Sequence, residues 1–323
     1  MRSCPPCFWL AGALVLSACD SPLPAEELAP RAFQKASLEA ENGKDLNGKD
    51  LNGKDLNGTD LSQVIVSVSF NPAIRGGALL DDAWLRGTTF YGYKGSTLYL
   101  GAEFVGVQFQ GNLGSGGTVP VRITGMNPAP APNADVSLYG LEYRTADGTW
   151  QPVCRDANGA PAQALPVDGY WDYHQGVAGG GSKTEDPTRF TFACMGGAIA
   201  KCALWGYRPW ASYNGFPLAP YHQACTRMVR ADYCGTGQSY TKTGNRINFY
   251  DELGLQQDAA DWVFEAEWDM NGARCFYALN RTHSSLPCFD SRVELLCGQQ
   301  LSTSRGVLLR DETPGTLGID LGL

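Results

Sequence analysis

From Val64 to about Cys154 apolar and polar residues alternate in short runs: Val64-Ile-Val-Ser-Val-Ser-Phe70, Thr97-Leu-Tyr-Leu100, Phe104-Val-Gly-Val-Gln-Phe109, Val119-Pro-Val-Arg-Ile-Thr124, Val136-Ser-Leu-Tyr139 and Leu141-Glu-Tyr143. Gly, Pro and Asn separate them. A period of two puts alternate side chains on one face, so these runs predict strands of an antiparallel sheet or sandwich. Phe192-Ala-Cys194 predicts a later strand of the same sheet.

After Cys194 the period lengthens. The segments 195–205 and 219–234 predict helices, the second with Pro220 at its start and Gly235 at its end. On that second helix Tyr221, Cys225, Met228, Val229 and Asp232 share one face at spacings of three, four and seven. Strands followed by helices give an expected fold class of α+β, an antiparallel β-rich domain with two or more short helices, stapled by disulfides.

The start of the chain has a different purpose. Phe8-Trp-Leu-Ala-Gly-Ala-Leu-Val-Leu16 is apolar but far shorter than the ~20 residues of a permanent membrane span, so residues 1–18 read as a signal peptide. The junction Leu16-Ser17-Ala18-Cys19 resembles the lipobox of bacterial lipoproteins, in which the cysteine is acylated and the leader is cut before it. The resemblance implies lipid attachment at Cys19, a membrane as partner, and a place in the cell envelope facing the periplasm or the cell surface.

Composition narrows the function classes. With 43% hydrophobic residues over 323 positions there is material for one large folded unit or two small ones. The net charge is −8 and no block of Lys or Arg could track a phosphate backbone, which excludes nucleic acid as an expected partner. Removal of Cys4 and Cys7 and acylation of Cys19 would leave eight cysteines: Cys154, Cys194, Cys202, Cys225, Cys234, Cys275, Cys288 and Cys297. An even number in an exported chain predicts up to four disulfides. Zinc is the competing use, through the spacing of His222-Gln-Ala-Cys225, but these eight contain no Cys-x-x-Cys pair, and no metal or cofactor is expected. Within an unbroken helix Cys225 and Cys234 would stand about 13 Å apart at 1.5 Å per residue, too far to bond, so each needs another partner. Cys194 and Cys202 should also pair elsewhere, whereas the turn-forming Asn280-Arg-Thr-His283 could bring Cys275 to Cys288.

Residues 19–61 read as a lipidated N-terminus and tether. Its second half holds four five-residue units, Asn42-Gly-Lys-Asp-Leu46 through Asn57-Gly-Thr-Asp-Leu61. They resemble pentapeptide repeats but carry Lys44, Lys49 and Lys54 where a small residue usually packs inward. Four units make about one coil with no neighbour to stack on. A flexible tether follows, holding the folded part about 35 Å from the membrane. The domain is expected over 62–300, and 301–323, with Gly306, Pro314, Gly315 and Gly318, as a frayed tail.

Arg230-Ala-Asp-Tyr-Cys-Gly235, with Lys201-Cys-Ala-Leu-Trp-Gly-Tyr-Arg-Pro-Trp210 and His222-Gln-Ala-Cys225, resembles the ADYC domain, a family of exported proteins of myxobacterial type. Echoes in Gly101-Ala-Glu-Phe-Val-Gly106 and Glu265-Ala-Glu-Trp268 extend the resemblance over 83–300. It implies membership and supplies no catalytic residues.

Candidate chemistry is sparse. Asp232 sits on the apolar stripe of a helix, where a carboxylate either acts as an acid or accepts N–H groups of the following loop, Gly235–Ser239. Glu265 and Glu267, two apart beside Trp262 and Trp268, would share one strand face, as in a glycosidase pair or as a solvated edge. Gly176-Val-Ala-Gly-Gly-Gly-Ser-Lys-Thr184 nearly matches a phosphate loop but has an extra Ser before Lys183 and no preceding apolar strand, so it reads as a flexible loop. Trp205, Tyr207, Trp210, Tyr213 and Phe216 crowd into twelve positions and either plug a core or present faces to a ligand. The expected function is a surface binding or structural module for a protein or glycan ligand. The alternative is an extracytoplasmic hydrolase using the acidic residues.

Overall fold

The computed structural model describes residues 64–314 apart from 157, 242–244, 259–261, 278–279, 282–285, 293–296 and 298–305, together with the backbone of two short strands, Glu26–Glu27 and Ala40–Glu41. In chain order the principal elements are β1 (Ile65–Arg75), β2 (Asp82–Arg86), β3 (Thr89–Lys94), β4 (Thr97–Leu100), β5 (Gln108–Leu113), β6 (Thr118–Pro128), β7 (Ser137–Arg144), β8 (Ala164–Asp168) and β9 (Arg189–Cys194). Then come α1 (Ala198–Leu204), α2 (Ala219–Arg230), β10 (Arg246–Asp251), β11 (Val263–Asp269), β12 (Gly272–Phe276) and β13 (Leu309–Thr313).

The alternating runs close on themselves. β1 pairs with β5, β5 with β6, β6 with β7, β7 with β8, β8 with β9 and β9 again with β1, all antiparallel, giving a six-stranded barrel rather than an open sheet or sandwich. Closure needs sharply coiled strands, and irregularities between Ser69 and Ile74 and between Gly140 and Leu141 supply the bends. Phe109, Tyr139, Phe190 and Phe192 fill the interior. Phe90, from the separate three-stranded meander β2-β3-β4, stands at their centre, its ring 5.2–5.8 Å from all four. The meander is held by Tyr139 Oη, which donates to Thr88 O at 3.1 Å, and by Ser137 N–H, which donates to Thr88 Oγ1 at 2.7 Å.

A second sheet, ordered Ala40–Glu41, β10, β13, β11, β12, shares a core with α2 through Met228, Val229, Trp268, Phe249 and Leu309. The α+β expectation is corrected here. Among the described residues strands make up 45% and helices 11%, so the fold is mostly β with short helices on the sheets. The two expected helices are trimmed to seven and twelve residues. Gly196 and Gly197 delay the first, and Ala231, in the left-handed region at φ 53°, stops the second before Cys234.

The tail is corrected too. Leu309–Thr313 is a buried strand between β10 and β11, since its alternate residues find partners on both neighbours. Glu26–Glu27 pairs in parallel with Ala211–Ser212, and Ala40–Glu41 in antiparallel fashion with Arg246–Ile247, so the segment expected as a tether lies against the domain at two points. The five-residue repeats lie outside the described residues, as do Cys4, Cys7 and Cys19.

All eight expected cysteines are paired: Cys154–Cys194, Cys202–Cys225, Cys234–Cys288 and Cys275–Cys297. The expected approach of Cys275 to Cys288 is overturned: Cys275 is bonded to Cys297 and Cys288 to Cys234. Four disulfides belong to an oxidising, extracytoplasmic environment. No helix among the described residues is long and apolar enough to cross a membrane.

Candidate functional site

The tetrad Ala231-Asp232-Tyr233-Cys234 is a node in which each residue has a separate attachment. Ala231 turns the chain out of α2. Asp232, fully buried, takes N–H groups of Thr236 (3.0 Å) and Gly237 (2.9 Å) and pairs with the buried Arg227 guanidinium. Tyr233 crosses to the second sheet, stacking near Trp268 and Phe276 and donating its phenolic O–H to Glu265. Cys234 is bonded to Cys288. Gly235 follows at φ +68°, and a Cβ there would lie 1.8 Å from Asn271 O.

Arg227 extends the node to the glycine-rich loop, donating to Gly180 O and to Ser182 Oγ at 2.7 Å. Gln223 Nε2 donates to Gly181 O at 2.9 Å, and Arg230 Nη2 to Gly237 O at 2.7 Å. The segment read as a flexible loop is therefore pinned at Gly180–Ser182. No sequence signal marks the arginines, because burial of a guanidinium is decided by carbonyls distant in sequence.

Beside Tyr233 lies an acidic cluster. Arg281 Nε is 3.1 Å from Glu265 Oε1, and its Nη2 is 3.4 Å from Asp311 Oδ2. Asp311 Oδ1 accepts Trp268 Nε1–H at 2.8 Å. Burial, and then the nearby Glu265 charge, push the Asp311 carboxyl well above the ordinary range, with Arg281 opposing. Glu267 is paired with Arg310 at 3.1 Å. The solvated face expected for Glu265 and Glu267 is not found: both are buried.

His222 donates Nε2–H to Ile199 O at 3.0 Å, and burial pushes its pKa down to about 3, while Cys225 is bonded to Cys202. That spacing makes no metal pair. The donor atoms of Glu267, Cys275 and Cys297 lie within 4.8 Å of one another, but the two sulfurs are bonded to each other at 2.01 Å and are not free to ligate.

The aromatic segment packs inward. Tyr207 is buried, its Oη donating to Asp251 Oδ2 at 2.6 Å, and Tyr213 is buried. Trp205 and Trp210 are half-buried against the core. Only Phe216 of that group stands out, 54% exposed.

An exposed aromatic surface lies elsewhere, on the meander. Ala83, Leu85, Phe90 and Gly92 face the barrel, so the pleat turns Trp84, Tyr91, Tyr93, Leu98 and Leu100 outward, with Trp84 opposite Tyr91, Tyr91 opposite Leu100 and Tyr93 opposite Leu98. Tyr93, Leu98 and Leu100 are 42%, 40% and 43% exposed. Trp84 packs its ring 5.8 Å from Tyr91 and 5.3 Å from Tyr93, with the Arg86 guanidinium 5.6 Å over Tyr91. The sequence carried a signal for it, the alternation Phe90-Tyr91-Gly92-Tyr93, in which both faces of one strand are apolar.

No curated protein and no solved structure matches the chain. The family model of the ADYC domain matches residues 101–282, which takes in the node and leaves out the aromatic meander. That match spans more than half of the 323 residues, and the chain belongs to the ADYC domain family.

Proposed function

We propose that this chain is a lipid-anchored binding module of the cell envelope, in which the barrel and the node around Asp232 form a rigid scaffold and the outward face of β2-β3-β4 docks a protein partner. The observation that carries the reading is the contiguous outward set of half-buried Trp84 and Tyr91 with exposed Tyr93, Leu98 and Leu100, on a sheet whose other face is locked into the barrel by Phe90. Trp, Tyr and Arg are the residues that dominate protein–protein binding energy, and a rigid platform loses little entropy on docking. Two exposed leucines beside the rings suit a protein surface better than a saccharide, which needs a concavity with polar groups beside the rings. The leader ending at Cys19 and the four disulfides support the anchored, extracytoplasmic placement.

The test is photo-cross-linking in the native envelope from a benzophenone residue at Leu98, with one at the exposed Thr118 as control. The reading expects a discrete protein adduct from position 98 that disappears with Trp84→Ala in a folded protein. Absence of any protein adduct, or identical adducts from both positions, refutes it.

A further inference from the structure

We infer that the Ala211–Pro217 hairpin is a lipid-facing surface whose tip, Phe216, enters the headgroup region of the bilayer. The inference rests on the anchoring at Cys19 proposed above. Glu26 is paired with Ala211 and Glu27 with Ser212. Six residues lie between Cys19 and Glu26, seven steps that span at most about 25 Å at ~3.3–3.6 Å per residue. A lipid on Cys19 thus holds this hairpin within about 25 Å of the membrane. The paired strand runs toward the tip, which stands only a few residues beyond Ser212 and within that reach.

The chemistry of the tip selects lipid as the occupant. Asn214 at φ 50° and Gly215 at φ 78° form a tight turn that projects Phe216 and Pro217, all four residues exposed. From Pro209 to Gln223 there is no Asp, Glu, Lys or Arg, so the tip itself carries no formal charge, and the acidic Glu26 and Glu27 lie on the strand paired with its base. Trp210, half-buried at the base, is a residue type favoured at the interface. The aromatic meander, by contrast, is bordered by exposed Asp82, Arg86 and Lys94.

The test uses the mature chain with a hexahistidine tag in place of Cys19, bound to vesicles of phosphatidylethanolamine and phosphatidylglycerol doped with a nickel-chelating lipid, so that anchoring does not depend on acylation. An environment-sensitive fluorophore on Pro217→Cys should shift to the blue and lose most of its emission to spin-labelled lipids. The same fluorophore on Leu98→Cys should keep its emission. Phe216→Glu, or about twenty Gly/Ser residues inserted after Asp20, should reduce quenching at 217 to the level at 98. Unquenched emission at 217 on vesicles that co-sediment with the protein overturns the inference, as does quenching at 98 in its place. Failure of labelled fatty acid to enter the full-length protein at Cys19 would instead overturn the anchoring reading on which the inference depends, whatever the vesicles show.

Discussion

Arg227 and Asp232 form a fully buried ion pair across the end of α2, and the same carboxylate oxygen that meets the guanidinium accepts the Gly237 N–H. The pair fastens a helix, the loop after it and the glycine-rich segment at Gly180–Ser182 at one point. Replacing Asp232 with Asn keeps the shape but turns an acceptor into a donor facing Arg227 and Gly237, and leaves the buried guanidinium uncompensated. The expected loss is about 3–5 kcal/mol in the urea unfolding free energy. A loss below 1 kcal/mol would remove the structural role.

Gly235 approaches Asn271 O too closely for any side chain and sits at positive φ. Gly235→Ala is expected to destabilise the fold by more than about 2 kcal/mol, because both the clash and the backbone conformation penalise it. Thermal unfolding checks this, and a melting temperature equal to the parent's would count against the observed contact.

The two faces of the meander should respond in opposite ways. Phe90→Ala removes the ring at the centre of the barrel's aromatic cluster and should cost about 3–5 kcal/mol. Trp84→Ala removes a ring that packs only on its outward neighbours and should cost less than about 1.5 kcal/mol. Paired unfolding curves measure both, and equal losses would mean that the outward face is core.

The acidic cluster gives a further contrast. Burial and the Glu265 charge raise the Asp311 carboxyl, so Asp311→Asn should cost less stability at pH 7 than the loss of charge at Glu265. Glu265→Gln removes the charge facing Arg281 and should cost about 3–5 kcal/mol. The reverse order would show that Asp311 carries the charge.

Asp168 has its pKa raised to about 6, by burial first and then by Glu185, with Lys183 opposing. A carboxyl raised above its unfolded value stabilises the fold while protonated, and that contribution disappears as pH rises from about 4 through about 6. Asp168→Asn should therefore raise stability at pH 7 by up to about 2 kcal/mol and flatten the profile between those values. Urea midpoints at pH 4 and pH 7 measure it, and an unchanged slope would sink the assignment.

Local pattern alone carried the existence of strands in β1 and β5–β7 and of the two helices, because a period of two or 3.6 is written in neighbouring residues. The eight-cysteine set and the family tetrad were legible for the same reason. Tertiary structure alone decided the rest. Barrel closure depends on β9 returning to β1 across more than a hundred residues, which no local period encodes. Leu309–Thr313 reads as a charged, frayed tail, Leu-Arg-Asp-Glu-Thr, and becomes a central strand because Arg310 finds Glu267 while Asp311 finds Trp268 and Arg281. Likewise Glu265 and Glu267 alternate like a solvated edge, and only the arginines brought from 281 and 310 make their burial tolerable. Partners distant in sequence set the free energy of a buried charge, and that term lies beyond the reach of sequence pattern.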